Sequence, residues 1–552
     1  DDGQVPVPHQ ITANLYENEV SYLLSHFQVK VLLFNPPAPD GRGFTREGRC
    51  TQEAGVWASQ WPPVTLATAA AFLAGGGHEV HGIDFPALGL TVRDLEARIA
   101  AWRPDAAFWT TGTPTLAHDL YIATLVKAAS PETLTAVMGT HVSVMPGEVL
   151  ENSAVDVVIR GEPEGIIREL CRRQGRSPEA GNGAITPNPE GGGSGRREGR
   201  RLSDVAGISY KDAAGAVIHN PDAGWLPPEE IPAPAWEHFD LAPYRLPLSG
   251  RPFLIVAPVR GCPYACSFCT APVYYGRKLR KRPVANVIAE IAADMDRFGV
   301  TEFFIWADTF TADRKYVRSF CAGILEAGLR ITWTCNSRVD TIDGETLALM
   351  KKAGLWMISF GLESGDDDIL AASGKRITTA DSRRAVRLAR AAGVRTAGHF
   401  ILGLPGETEA TMAATLRLAS ELPLNIAQFY AAAPFPGTRL YEEATAKGWL
   451  KTGGGIRLAG AYGNTWGNAV NEAADSSSAH EGESTAPPGP RKDVSTAEAE
   501  ADQDKADGEG NAIQKAPDAS YAHDGEPMTP PGHPAGAGTS QGQFSPFSQN
   551  SA

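Results

Sequence analysis

Apolar and polar positions divide the chain into alternating stretches of two kinds. VKVLLFNPP (29–37) is a continuous apolar run ending in Asn-Pro-Pro, the pattern of a strand buried on both faces of a parallel sheet. VTLATAAAFLAGGG (64–77) reads as a helix closed by glycines. Strands at HEVHGIDFP, AAFWTTGTPT, LTAVMGTHVSV and VDVVIRGEPEG follow, separated by helices at TVRDLEARIAAWRP, LAHDLYIATLVKAA and PGEVLEN and closed by EGIIRELCRR. Five such units predict a doubly wound five-stranded parallel sheet, with ligands at the carboxyl ends of its strands.

Alternation resumes at FLIVAPVRG (253–261) and continues through TEFFIWADTF, RITWTCNSRVD, WMISFGLESG, RTAGHFILGLPGE and NIAQFYAAAPFPG. Helices separate these strands. In the first of them Val284, Val287, Ile288, Ile291, Met295 and Phe298 keep helical spacing, and Pro283 suits its first turn. Six strands and five helices predict a (βα)6 partial TIM barrel, with its chemistry at the strands' C-terminal ends. The organisation expected is an extension over 1–28, with NEVSYLLSHF a short helix; the five-stranded domain over 29–173; a linker over 174–249; the barrel over 250–452; and a tail over 453–552. The linker holds a Gly/Arg/Glu-rich stretch, a hairpin at AGISYKDAAGAVIHN and an extended proline-rich connector. In the tail large apolar residues nearly vanish, so it is expected to be disordered.

Composition narrows the class. The 552 residues carry a net charge of -14, which argues against general binding to nucleic-acid backbones. Seven cysteines, odd in number and clustered, do not make a secreted disulfide framework. No apolar run approaches a membrane span and DDGQVPVPHQ has no signal pattern, so a cytoplasmic location is expected.

The chemistry concentrates in RGCPYACSFCTAP (260–272). Cys262, Cys266 and Cys269 stand C-x3-C-x2-C at the end of the first barrel strand. Thiolates suit zinc or iron–sulfur. A structural zinc wants four ligands, and Cys321 and Cys335 lie in other elements. Three ligands on one loop suit a [4Fe-4S] cluster with one open iron, which the amino and carboxylate groups of S-adenosylmethionine can chelate. Zinc, and free thiols on a buried turn, are the competing readings. Here the sequence resembles the radical S-adenosylmethionine (SAM) superfamily, whose signature places an aromatic before the last cysteine, as Phe268 does.

The resemblance covers roughly 250–450 and implies further roles. Asn336 and Arg338 in TCNSRVD stand at a strand end, where Arg338 would hold the methionine carboxylate or make a rim ion pair. Glu363 in SFGLESG would bind the ribose, or serve as an acid favoured by a helix N-terminus. Asp308 would face the substrate or cap a helix. FILGLPGET and the backbone near Ala433 would support the adenosine.

A five-unit domain before such a barrel resembles the cobalamin-binding subclass, on NPP, QWPPVTLATAAAFL, MGTHVSVMPGEVL and VDVVIRGEPE over about 30–170. That subclass includes methyltransferases and the anaerobic magnesium-protoporphyrin ester cyclases. The implied cobalamin contacts are Thr110, Thr111, Gly139, Thr140, His141, Gly161 and Glu162. No D-x-H-x-x-G string occurs, so cobalamin would bind without a histidine ligand to cobalt, and His141 reads equally as a cap or a packed side chain.

The leading expectation is a cobalamin-dependent radical methyltransferase acting on an unreactive carbon of a small molecule or lipid. Radical oxidation or cyclisation is the alternative, and a non-catalytic corrin-binding or sensing module the alternative of another class. The electron donor expected is a flavodoxin or ferredoxin. The basic stretch YYGRKLRKRP (274–283) is the one hint of nucleic acid, and a solvated loop is the plainer reading.

Overall fold

The computed structural model describes residues 28–37, 44–47, 50–53, 60–174, 202–212, 214–246 and 248–450. The expectations for the N-terminal helix, the Gly/Arg-rich stretch and the tail lie outside the described residues. The first sheet is built from β1 (Lys30–Asn35), β4 (Glu79–Asp84), β5 (Ala106–Thr110), β6 (Leu134–Met138) and β7 (Val157–Ile159), all parallel, in the order β4-β1-β5-β6-β7. The order reverses beside β1, as in doubly wound folds. A hairpin, β8 (Ile208–Lys211) and β9 (Val217–His219), extends the sheet antiparallel beyond β7, so seven strands replace the expected five.

Helices cover both faces: α1 (Val64–Gly75), α2 (Val92–Trp102), α3 (Leu116–Ala129), α4 (Thr140–Val144), α5 (Pro146–Glu151) and α6 (Glu164–Gln174). One expected strand is shorter than its apolar run. Gly139 breaks it at φ 144, and THVSV turns into α4. A Cβ at Gly139 would lie 2.0 Å from the Thr111 carbonyl oxygen, so only glycine allows the two strand-end loops to meet.

The sequence pattern gave no hint of the small hairpin β2 (Phe44–Glu47) and β3 (Cys50–Glu53). It carries a charge into the core. Arg46 donates to both oxygens of Asp119 on α3, at 3.3 and 3.0 Å, and to the Pro36 carbonyl; neither side chain is more than 1 % exposed.

The second sheet is the barrel wall, wholly parallel: β10 (Phe253–Val256), β13 (Glu302–Ile305), β14 (Thr332–Ser337), β15 (Leu355–Glu363), β16 (Arg395–Leu402) and β17 (Ile426–Ala431). A short antiparallel ribbon, β11 (Val259–Arg260) with β12 (Arg280–Lys281), brackets the cysteine loop, which contains α7 (Ala271–Tyr275). The outer helices are α8 (Val284–Phe298), α9 (Arg314–Glu326), α10 (Gly344–Lys352), α11 (Asp367–Ala372), α12 (Thr379–Ala391) and α13 (Glu409–Glu421), followed by α14 (Arg439–Ala446). Two helices, not one, join β15 to β16. Val287 and Ile291 are buried while Val284, Ile288, Met295 and Phe298 pack at the margin, and Pro283 is the cap residue of α8, not part of its first turn.

One apolar core runs from one face of the first sheet, through α1 and α6, into the barrel. A second lies under α2 and α3. The proline-rich connector is packed: the Ala235 amide donates to the Ala67 carbonyl, Trp236 is fully buried, and the Tyr244 hydroxyl donates to Asp84 at 2.8 Å. No helix among the described residues is long and apolar enough to cross a membrane.

Removing one partner of a buried ion pair leaves the other charge without compensation, at a cost of about 3–5 kcal/mol. Asp119→Ala should lower the unfolding free energy by about that amount, read as an earlier urea midpoint by circular dichroism, while Asp119→Asn should lose less.

Candidate active site

The cysteine loop is shaped by its backbone. Gly261, at φ 87, would bring a Cβ within 2.3 Å of the Lys278 carbonyl oxygen, so the loop's two stems approach through a glycine. The Cys262 amide donates to the Gly276 carbonyl, and the Cys269 amide to that of Cys266. Two barrel segments pin the centre: the Ser267 amide donates to the Ser373 carbonyl after α11, and the Leu440 amide of α14 donates to the Ser267 carbonyl.

The three thiols line one cavity of about 290 Å³ at the C-terminal mouth of the barrel. Phe268, Asp308, Asn336, Arg338, Glu363 and Ala433 line it too, so every residue the sequence assigned to the barrel site is brought together there. Among the described residues no three His, Cys, Asp or Glu side chains converge on a single-ion position. Cys262, Cys266 and Cys269 share that cavity, three soft ligands on one loop. Burial pushes the Cys266 thiol up, against the pull of Lys375 and Arg338. Cys171, Cys321 and Cys335 are buried in packed elements, with Cys321 pushed up to about 12, so they are poor ligands.

For three barrel residues the structure bears on the alternative readings the sequence left open. Arg338 already holds a carboxylate: Nε and Nη2 each donate at 2.9 Å to Asp340, and Nη2 donates to the Lys375 carbonyl. Its remaining Nη1 sits 3.9 Å from the Cys266 sulfur, and its plane lies 3.7 Å from the centre of the Tyr264 ring. The Asp340 contact is the rim ion pair, one of the two readings the sequence left open, and the remaining Nη1 faces a thiol. Glu363 is not a helix-capping acid: Asp366 caps α11, while Glu363 stands at φ 62 and accepts from Lys375 Nζ at 2.6 Å. A non-glycine residue held in this region is strained, a condition common at functional sites. Asp308 caps no helix, since Asp313 caps α9.

The first sheet presents a different surface. Thr111, Thr140 and His141 are buried at the ends of β5 and β6. His141 Nδ1 pairs with the Thr113 hydroxyl at 3.1 Å; its Nε2 and the Thr111 hydroxyl have no partner. Gly161, at φ 76, donates its amide to Ser143. Thr110 turns inward to Asn35. Glu162 is a further correction. Both its oxygens are taken by Arg260 and Arg280, and one also accepts the Leu226 amide, so none is left for a cofactor.

Comparison with known proteins decides the family. Residues 256–419 match the model of the radical SAM superfamily, and residues 54–171 that of the B12-binding domain. An uncharacterized methyltransferase of Pyrococcus horikoshii is 32 % identical over 394 residues, covering 71 % of this chain and 80 % of the relative. The chain belongs to the radical SAM superfamily, in the subclass that carries a B12-binding domain.

Its fold agrees. The radical SAM methyltransferase TsrM of Kitasatospora setae, solved with cobalamin and a [4Fe-4S] cluster, superposes with a TM-score of 0.59 at 18 % identity, covering 76 % of this chain and 78 % of that one. The anaerobic magnesium-protoporphyrin IX monomethyl ester cyclase of Rubrivivax gelatinosus is 27 % identical over 396 residues, covering 70 % of this chain and 67 % of the relative. The protein is an enzyme, and its cofactors are a [4Fe-4S] cluster, SAM and cobalamin.

The residues present fit those groups. Three thiols line a shared cavity, and the strand ends of the first sheet carry buried polar atoms without a partner on Thr111 and His141. Sequence reading missed several lining residues. Trp61, from the QWPPV stretch, is the one contribution of the first sheet's domain among the described residues, and stands edge-on to Phe304 and Trp306 of the barrel at about 5.0 and 4.9 Å. Lys375, His399 and Tyr430 also line the cavity. Trp61 was visible within a recognised motif; Lys375 lies between two helices and carries no local signal. The basic stretch 274–283 does not form a patch: Arg280 and Arg282 are buried on Glu162 and Glu290.

Burial pushes His141 down to about 4, from an ordinary 6.5. Folding then favours the neutral ring, and this contribution, about 3 kcal/mol, is present above pH 6.5 and lost as the pH falls toward 4. His141→Gln should flatten the fall in unfolding free energy over that window, measured by urea titration at a series of pH values.

Proposed function

We propose that the enzyme is a cobalamin-dependent radical methyltransferase acting on an unreactive carbon of a small molecule or lipid. The observation that carries this is the pairing of one open cysteine cavity with a B12-binding sheet whose domain contributes Trp61 to that same cavity. When bound, the cluster supplies an electron to the SAM sulfonium and cobalamin carries the methyl group.

The protein's own residues divide the remaining work. Cys262, Cys266 and Cys269 hold the cluster. Arg338 places a cation near Cys266 and, stacked on Tyr264, stiffens the loop between the first two thiols. Glu363 receives the ribose hydroxyls, and Lys375, which donates to it at 2.6 Å, holds its carboxylate in place. Phe268 and the backbone near Ala433 flank the nucleoside, and Asn336 stands on the opposite wall. Asp308, Trp306, His399 and Tyr430 face the substrate. Thr111, Gly139, Thr140, His141 and Gly161 face cobalamin. A low-potential flavodoxin or ferredoxin delivers the electron.

The likeness to the ester cyclase favours one second reading, radical oxidation or ring closure on the same site. Product mass separates the two: methylation adds CH2, whereas oxidation adds oxygen or removes hydrogen.

The test is anaerobic purification with iron, sulfide and corrin analysis, followed by reaction with reductant and SAM deuterated in its methyl group. Cluster, corrin and 5′-deoxyadenosine are expected, and in cell extract a product carrying the deuterated methyl. Alanine at any of Cys262, Cys266 or Cys269 should abolish 5′-deoxyadenosine, a loss of at least about a thousandfold, because nothing else opens the cleavage route. Wild-type protein that binds no iron would sink the reading.

A further inference from the structure

The ribbon β11–β12 closes the cysteine loop like the neck of a bag, and Arg260 and Arg280 are direct cross-strand partners in it. Two like charges placed opposite each other repel. Both are satisfied from the other domain. Arg260 grips Glu164 with Nη2 at 2.7 Å and Nη1 at 3.2 Å, and its Nη1 also meets Glu162. Arg280 Nη1 holds Glu162 at 2.9 Å and the Leu226 carbonyl at 3.0 Å. The four side chains are at most 8 % exposed. Arg260 lies over the Tyr275 ring and Arg280 over Trp225.

Glu162 follows Gly161 at the end of β7, and Glu164 opens α6. Arg260 stands two residues before Cys262. A buried ion network of this kind adds little stability over apolar packing of the same volume, and its best-attested use is to fix register. Apolar side chains would hold the domains together but would let them slide.

We propose that Glu162, Glu164, Arg260 and Arg280 form a cross-domain clamp that sets the position of the cluster loop relative to the cobalamin-binding strand ends. They are positioning residues: both stems of the cysteine loop hang from the first sheet's domain, so the cluster keeps its place relative to cobalamin when the barrel wall moves. The proposal rests on the two-cofactor reading above.

The experiment uses the full chain, reconstituted anaerobically with its cluster and cob(II)alamin. Pulsed electron paramagnetic resonance reads the distance distribution between the cobalt spin and the reduced cluster. Wild type should give one narrow distribution. Glu164→Gln and Arg260→Lys should retain iron and cobalt yet widen it about twofold, because a site loses precision once its support is loosened. Glu290→Gln is the control. Its pair with Arg282 is equally buried but lies wholly within the barrel segment, so it should lower stability and leave the width unchanged. Equal widths in wild type and both clamp variants would overturn the clamp while leaving the functional reading intact.

Should the clamp variants fail to fold, or should wild type not load both cofactors, hydrogen exchange of the wild-type chain decides. Amides at 159–164 and at 259–262 should exchange within about threefold of each other, as one cooperative unit. Clearly faster exchange of the loop stem would reject the clamp.

Discussion

Taking a charge out of water costs several kcal/mol, and a fold accepts that only where each ion meets a partner of good geometry. Much of this molecule follows from that constraint at the junction of its two halves. Arg260 and Arg280 cannot be buried side by side without Glu162 and Glu164, and those carboxylates cannot sit under the ribbon without the arginines. Glu47 lies in the same buried region and has no ion pair among the described residues; burial pushes it up to about 8, and Thr65 donates to it. Burial without a partner thus favours its neutral form.

The same logic orders the catalytic cavity. Its polar groups come in pairs, Arg338 with Asp340 and Lys375 with Glu363. A Cβ at Gly361 would strike both Glu363 and Lys375, and one at Gly374 would meet the Ala265 carbonyl inside the cysteine loop at 2.8 Å. Strand end, helix end and cysteine loop are therefore mutually dependent. A cavity built this way orients dipoles before anything binds, which is how enzymes stabilise developing charge without reorganising.

What the sequence disclosed, and what it hid, divides along the same line. Local patterns were readable: the buried strands FLIV and EFFI as apolar runs, the helices by their spacing, and the cysteine triplet by its own density. Roles that depend on contacts distant in sequence were not. Arg338 could be read as a free fork or a rim ion pair, and only the structure shows Asp340, two residues away, filling it. Glu162 looked like a loop acid at a cofactor site because its partners lie 98 and 118 residues further on. The run 274–283 looked like a basic patch because burial of Arg280 and Arg282 cannot be read from composition. THVSV looked like strand because its apolar character is shared by a short helix, and only the glycine before it broke the run.

These corrections bear on how one scaffold serves more than one reaction. The cysteine loop with its stems and the Glu363–Lys375 pair are held by buried contacts. The cavity wall is built differently: β17 alternates half-buried and exposed positions, as an edge strand does, and Tyr430 on it pairs with His399 across the strand pair at 3.1 Å. Trp61 lines the cavity from another domain, on edge-on aromatic contacts with Phe304 and Trp306. Changes at Trp61, Trp306, His399 or Tyr430 would thus alter what fits the cavity without disturbing what the loop holds. Substrate choice can vary over a conserved radical source because the two are held by physically separate sets of contacts.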